Sequence, residues 1–365
     1  MEYIVNRFNT TRLLSQALCG LLLTTAASAA SAASSSTGLS SLDILQQFNL
    51  VVLGNSTAKN GAEVDGRAYI GGTLNGGKYT VKLPSASSKF AGLTVQGTAS
   101  NIQVENQDAV IAGSLNNSTI HNGSTAVLGS SSDSNFNDSG STYIAGSKDR
   151  VNINQTPIKS LSENSLLQSE VATAQATSTK AMKSTLSTLS QQLSTQKATG
   201  DYTIQNKNKV IFNAKADANG MAVIDLTGSN SSVLSKAKKF DFNVASDVTT
   251  LLFNVDSATI SIAGDFLGNS ARSLASKTIW NFYGATTVAL NSQFGGMVLA
   301  PNATLTNSSE VIGGVYVNSL LQKGNISGVL PAVPEPETYA LLGLGLVMLG
   351  WRAKKSRQAS LCVAA

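Results

Sequence analysis

Very few residues of this chain have the types that carry covalent or metal chemistry. Its 365 residues include one histidine, His121, and two cysteines, Cys19 and Cys362, which stand near the two ends. The long middle of the chain therefore offers no thiol nucleophile, no disulfide framework and no zinc site of Cys and His. No Ser or Cys motif surrounds His121, which reads as a histidine in a turn rather than a general base. Asp133-Ser134-Asn135-Phe136-Asn137 places oxygen ligands at alternate positions, as a hard cation such as Ca2+ requires. The run lacks the glycine and distal glutamate of an EF-hand, with Ile144 standing where that glutamate would be. Turn chemistry accounts for Asp133, Asn135 and Asn137 more simply than calcium does. Asp225, Asp241, Asp247, Asp256 and Asp265 are carboxylates of the kind a polysaccharide-cleaving groove needs. Solubility at strand edges explains them equally. No constellation converges, and no cofactor is implied.

These residues must be held by short β elements, because the middle of the chain is periodic. Leu50-Val51-Val52-Leu53-Gly54 matches Arg67-Ala68-Tyr69-Ile70-Gly71 at an offset of 17. Later runs close on Gly97, Gly113, Gly129 and Gly146, at spacings of 16, 16 and 17. Short β-branched runs ended by Gly, with Asn, Ser and Asp between them, read as strand then turn. One coil of a β-solenoid has this length, and its like residues stack on those of the next coil. Val, Ile and Leu then fill a narrow core, while Gly and Asn take corners that need positive φ. An antiparallel sandwich has similar strand spacing, but a near-constant interval favours the solenoid. Thr125 and Thr142 are expected one coil apart, with Thr94 in a nearby register. With Tyr69 and Tyr143 as stacking residues they make a candidate ligand face for polysaccharide. A sustained Thr-x-Thr ladder, which would suit ice or a crystalline polymer, is not legible.

Residues 157–200 depart from the period. Ser160-Leu161-Ser162-Glu163 has the form of a capping box. Leu167, Val171, Ala174, Met182, Leu186, Leu189 and Leu193 follow helical spacing, and Gly200 is placed to end the helix. The opposite face is Ser, Thr and Gln. This predicts one amphipathic helix packed along the body of the chain, with a coiled-coil partner as the alternative.

Charged residues are 13% of the chain, about half the usual share, while Gly numbers 31. The net charge is +5, but six of the 26 basic and three of the 21 acidic residues lie in the terminal segments. The 20 basic and 18 acidic residues between them leave +2. A body so near neutral has no electrostatic footprint for nucleic acid.

The ends read as targeting segments. Arg7 and Arg12 precede the apolar residues 13–25, and Ala27-Ser28-Ala29 and Ala30-Ser31-Ala32 offer signal-cleavage sites after Ala29 or Ala32. At the other end Val333-Pro334-Glu335-Pro336 is followed by the apolar residues 339–351 and then Arg352, Lys354, Lys355 and Arg357. A short apolar run with cations on one side enters the membrane with those cations cytoplasmic. This order of box, short span and basic cluster resembles the PEP-CTERM sorting signal of Gram-negative bacteria. The resemblance implies recognition by an exosortase, transient residence in the inner membrane, and passage to the cell surface or extracellular matrix. Residues 358–365 extend past the usual end of such a signal.

The middle of the chain resembles the choice-of-anchor A family. The carrying residues are Phe48-Asn49-Leu50-Val51-Val52-Leu53-Gly54, Val64-Asp65-Gly66-Arg67-Ala68-Tyr69-Ile70-Gly71-Gly72, and the late Gly295-Gly296-Met297-Val298-Leu299-Ala300-Pro301-Asn302-Ala303 with Ile312-Gly313-Gly314. The Leu-Ala-Pro-Asn-Ala segment and the interrupting helix are also similar to bacterial ice-binding β-solenoids. Together these imply a mainly β chain, a right-handed β-helix with one long amphipathic α-helix alongside. The expected divisions are a signal peptide at 1–33, a solenoid at 34–332 with a helical insertion near 158–199, a sorting signal at 333–357 and a tail at 358–365. The implied function is a non-enzymatic, exported surface or matrix protein. Its expected partners are exosortase, the secretion machinery and extracellular polysaccharide. Ice or crystal-surface binding and polysaccharide cleavage are the alternatives.

Overall fold

The computed structural model describes residues 39–82, 88–266 and 268–328. The signal segment with Ala29 and Ala32, and the whole of 333–365, lie outside the described residues.

From Leu50 the chain winds in three-sided coils. One coil comprises the strands Ala109–Ile111, Leu115–Asn116 and Thr119–His121. The next repeats them 16 residues on, with Ala109 opposite Thr125, Leu115 opposite Ser131 and Thr119 opposite Asn135. All these pairings are parallel, so the sandwich alternative does not hold. Side chains alternate across each strand, which sends Ala109, Ile111, Leu115 and Ile120 into one continuous core. We name the three sides faces A, B and C in the order the chain meets them.

The order of coils in space differs from their order in sequence. The chain starts in the middle of the stack, and its coils climb to one end at Thr156–Pro157. It then crosses back over face A as helices and winds inward from the opposite end. The strand Val315–Gln322 closes the stack against the first coil. Leu50 pairs with Val315, Ser56 with Leu320 and Val64 with Ile326. Both strand blocks thus share one core, rich in aromatics towards the far end, where Phe253 and Trp280 stack at 3.9 Å between ring centroids.

The corner between faces A and B shows why the glycines recur. Gly72, Gly97, Gly113, Gly129 and Gly146 each donate their N–H to the carbonyl of the glycine one coil back, at 2.9–3.0 Å, beginning from Gly54. A Cβ on Gly113 would lie 2.6 Å from the Gly97 carbonyl. Close approach selects glycine here rather than positive φ. Positive φ occurs at the other two corners, between faces B and C at Asn101, Asn117, Asp133 and Arg150, and between faces C and A at Thr80, Asn122 and Asp138. The offset between the first two coils is 18 rather than 17, since Leu50 pairs with Ala68, and Gly72 rather than Gly71 continues the column.

The expected single helix is two. A 3-10 turn at Leu161–Glu163 carries the Ser160–Glu163 capping box. Helix α2 at Ser165–Ala176 follows α1 at Ser41–Gln47 in chain order, and α3 spans Thr179–Ser194. The break lies at Thr177-Ser178, where Thr177 is extended and the Ser178 hydroxyl accepts the Ala181 N–H at 3.2 Å. A side-chain acceptor at that position offers the backbone an alternative to continuing the helix. Gly200 does not cap α3, which ends at Ser194 with Thr195 beyond it. Both helices pack on their own body, as expected. Leu167, Val171 and Ala174 of α2 cover Val110 and Ala126. Met182, Leu186, Leu189 and Leu193 of α3 cover Val51, Leu252, Ile279 and Leu299. A buried polar tie fixes α3 further: Ser190 donates to Asn281 at 2.6 Å, and Asn254 donates to the Leu193 carbonyl at 2.8 Å.

Candidate functional site

The helices decide which surfaces a partner can reach. Face A lies beneath them, and its three-residue strands are buried on both sides. The four residues expected to form a ligand face fall in this region, and the structure corrects their placement. Thr125 and Thr142 do pair one coil apart, but they point inward and are 0% and 1% exposed. Thr142 donates to Gln155 at 2.9 Å. Tyr69 is 0% exposed under the junction of the helices, with its hydroxyl 2.6 Å from that of Thr179. Burial pushes the Tyr69 phenol above its ordinary range. Tyr143 is half-buried against the α2 cluster. Thr94 aligns with Tyr69 and Val110 rather than with the inward threonines.

The other assigned residues also have local partners. His121 ends a strand rather than occupying a turn, and its Nδ1 lies 2.8 Å from Asp138. Asp133 takes two hydrogen bonds from Arg150, which hold its carboxyl below the usual carboxylate range. Asn137 accepts from Asn154 at 2.9 Å, while Asn135 stands exposed in its strand. Among the described residues no group of three or more His, Cys, Asp or Glu side chains could hold a metal. Of the five aspartates, Asp241 pairs with Lys209 at 2.8 Å. Asp225 and Asp256 accept the N–H groups of Thr227 and Gly228 in one loop region. Asp247 and Asp265 are exposed.

Face B is open, and its outward positions form two columns. In one, Thr259, Thr287, Thr304 and Ser319 stand opposite one another on successive strands. In the other, Ser261, Ala289, Thr306, Leu321 and Thr57 follow in order, and Asn75, Ser100, Asn116, Ser132 and Asp149 continue it to the far end. Neighbouring strands are ~4.8 Å apart, and alternate residues along one strand ~6.7 Å apart. The result is a registered lattice of hydroxyls with a few apolar positions, among them Leu321 at 47% exposure. The first column escapes a periodic reading because its members are 28, 17 and 15 residues apart. Helices and loops inserted between coils change the interval without changing the register.

Face C carries a second open array, with Glu63, Lys78, Gln103, Thr119, Asn135 and Asn152 in one column. Lys78 lies 3.3 Å from Glu105 and 3.8 Å from Glu63. Among the described residues neither open face brings together a catalytic cluster. Both are broad, polar and repetitive, which suits contact with an extended surface through many weak hydrogen bonds.

A buried carboxyl not singled out from the sequence sits where α2 meets the body. Glu170 is 6% exposed beside Asp108 and Arg67. Burial, together with the Asp108 carboxylate, pushes it up to about 8.

No curated protein and no solved structure matches the chain. Residues 332–355 match the PEP-CTERM protein-sorting motif, which includes Val333, Pro334, Glu335, Pro336, Arg352, Lys354 and Lys355, with Arg357 just beyond. That motif marks an exported, membrane-sorted surface protein processed by exosortase. Residues 41–328 match the family described as "Putative Ice-binding-like adhesive domain". This match spans the whole of the stack from α1 to the closing strands, and the chain belongs to that adhesive family.

Proposed function

We propose that the protein is a non-enzymatic adhesive rod of the cell surface or extracellular matrix, in the manner of the choice-of-anchor A proteins it resembles. The signal at residues 1–33 exports it, with cleavage after Ala29 or Ala32. Exosortase acts on the Pro334-Glu335-Pro336 box after residues 339–351 have held the chain transiently in the inner membrane. Face B then engages extracellular polysaccharide or another surface. The observation that supports this reading is the registered hydroxyl lattice of Thr259, Thr287, Thr304 and Ser319 beside Thr306 and Thr57. Each hydroxyl both donates and accepts, and each hydrogen bond has a net worth of ~1 kcal/mol. Strength therefore comes from number rather than from a pocket.

The test is retention of the purified protein on the extracellular polymer of the bacterium that makes it. Replacing Thr287 and Thr306 with Lys should abolish retention while leaving the circular dichroism spectrum and melting temperature near those of the parent. Retention unchanged by both substitutions would overturn the reading.

The same lattice supports a second reading, adsorption to ice or another crystalline surface, because its spacings are fixed by the strand register. Inhibition of ice recrystallisation by the parent, lost in the Thr287→Lys variant, would favour it.

A further inference from the structure

The corner between faces B and C changes shape near the middle of the stack. One coil turns from Leu74–Asn75 to Lys78–Tyr79 through only Gly76 and Gly77, both at positive φ. A Cβ on Gly76 would lie 2.3 Å from the Ala58 carbonyl, so this turn is packed tight against its neighbour. The preceding coil makes the same turn through the longer residues 59–62, and the following one through Asn101-Ile102. The two-glycine corner is therefore recessed between bulkier ones. The result is a notch of about 600 Å3, within the ~300–1,000 Å3 range of small-molecule sites.

Five of the twelve residues lining the notch carry carboxamides, the rest being small, apolar or hydroxyl residues and Lys78. Asn60, Asn75, Asn101, Gln103 and Asn117 line it, with Lys78. Three of them form a ladder across successive coils. Asn101 donates to Asn75 and Asn117 donates to Asn101, each at 2.7 Å. A side-chain amide has two N–H donors and two acceptor lone pairs, so the ladder fixes orientation and leaves capacity over. Among the described residues the side chains of Asn60 and Gln103 have no hydrogen-bond partner. Lys78 lies between Glu63 and Glu105, which offset its charge and disfavour an anionic ligand.

Oriented groups that both donate and accept, without net charge, match a ligand whose hydroxyls also do both. We propose that this notch is a saccharide subsite, taking a short stretch of a neutral polysaccharide chain that continues onto the faces beside it. The proposal rests on the reading of the rod as a polysaccharide adhesin. It adds a point where one chain is gripped rather than merely touched.

The experiment uses protein purified from cells expressing the full chain, with neutral gluco-oligosaccharides (β-1,4-linked and β-1,3-linked) as probes. Binding is followed by calorimetry and by the side-chain amide signals in NMR spectra. The paired substitution Asn60→Ala with Gln103→Ala removes two groups that have no structural partner, so the fold should be retained. It should weaken oligosaccharide binding at least tenfold, whereas Lys197→Ala, at an exposed position beyond the end of α3, should leave it unchanged. Oligosaccharide binding that survives the paired substitution would overturn the notch while leaving polysaccharide adhesion intact. Preference for uronic-acid oligosaccharides over neutral ones would overturn the neutral class. Absence of binding both to these probes and to the whole matrix polymer would overturn the adhesin reading, and the notch with it.

Discussion

Gly113 illustrates how much one missing atom decides in this molecule. A methyl group there would meet the Gly97 carbonyl at 2.6 Å, and backbone on both sides leaves little room to give. Gly113→Ala should lower stability by ~1–3 kcal/mol, the usual cost of overpacking, as read from urea denaturation. Glu170 makes the complementary case with charge. Its carboxyl is held up to about 8 in the folded protein, against 4.5 ordinarily. The folded state therefore binds a proton that the unfolded chain has released. Stability from this group is full below about pH 4.5 and is lost as pH rises through about 8. Glu170→Gln keeps the shape and removes the titration. Its melting temperature should vary less over this window and exceed that of the parent at the alkaline end. An equal pH slope in both proteins would show that burial beside Asp108 does not hold the Glu170 carboxyl up. The glycine column was legible in the sequence because a backbone-to-backbone contact recurs with the coil. Glu170 was not legible, since nothing local marks it as buried beside Asp108.

At the level of elements, α3 does for face A what solvent does for face B. Leu186, 0% exposed, sits among Val51, Leu252 and Leu299, so Leu186→Ala should cost ~2–5 kcal/mol by urea denaturation. The same cover explains why Tyr69, Thr125 and Thr142 were read as exposed. A strand such as Thr125-Ala126-Val127 is buried on both sides, and its hydroxyl gives no hint that it faces a core. The helix spacing from Leu167 to Leu193 was legible as amphipathic. The break was not, because Thr177-Ser178 is neutral in propensity and acts only through the Ser178 cap. On face B the threonines were hidden by uneven intervals, since the helix at Ser270–Leu274 falls between Thr259 and Thr287 and lengthens that coil.

Across the stack each strand pairs only with strands of the neighbouring coils, so stability is set largely locally along it. Backbone amides of the closing strands, such as Leu50–Val52 against Val315–Val317, have partners on both sides and α1 and α3 above them. They should be the slowest to exchange in hydrogen–deuterium experiments, and Thr156–Pro157 at the terminal coil among the fastest. Fastest exchange at the closing strands would mean the two halves are joined loosely.

The position of that closure also decides how the molecule would bear a pull. The sorting motif begins at residue 332, four positions after Gly328, and the strand just before it, Ile326–Ser327, is flanked by Val311–Ile312 and Glu63–Val64. A rod tethered at its tip would be peeled one turn at a time, breaking few bonds at each step. Here tension arriving through the tail meets a strand gripped from two directions, so it must shear both flanks together, and the strain is shared by the two arms of the rod. For a protein whose work is to hold on, traction is delivered to the part least ready to unravel.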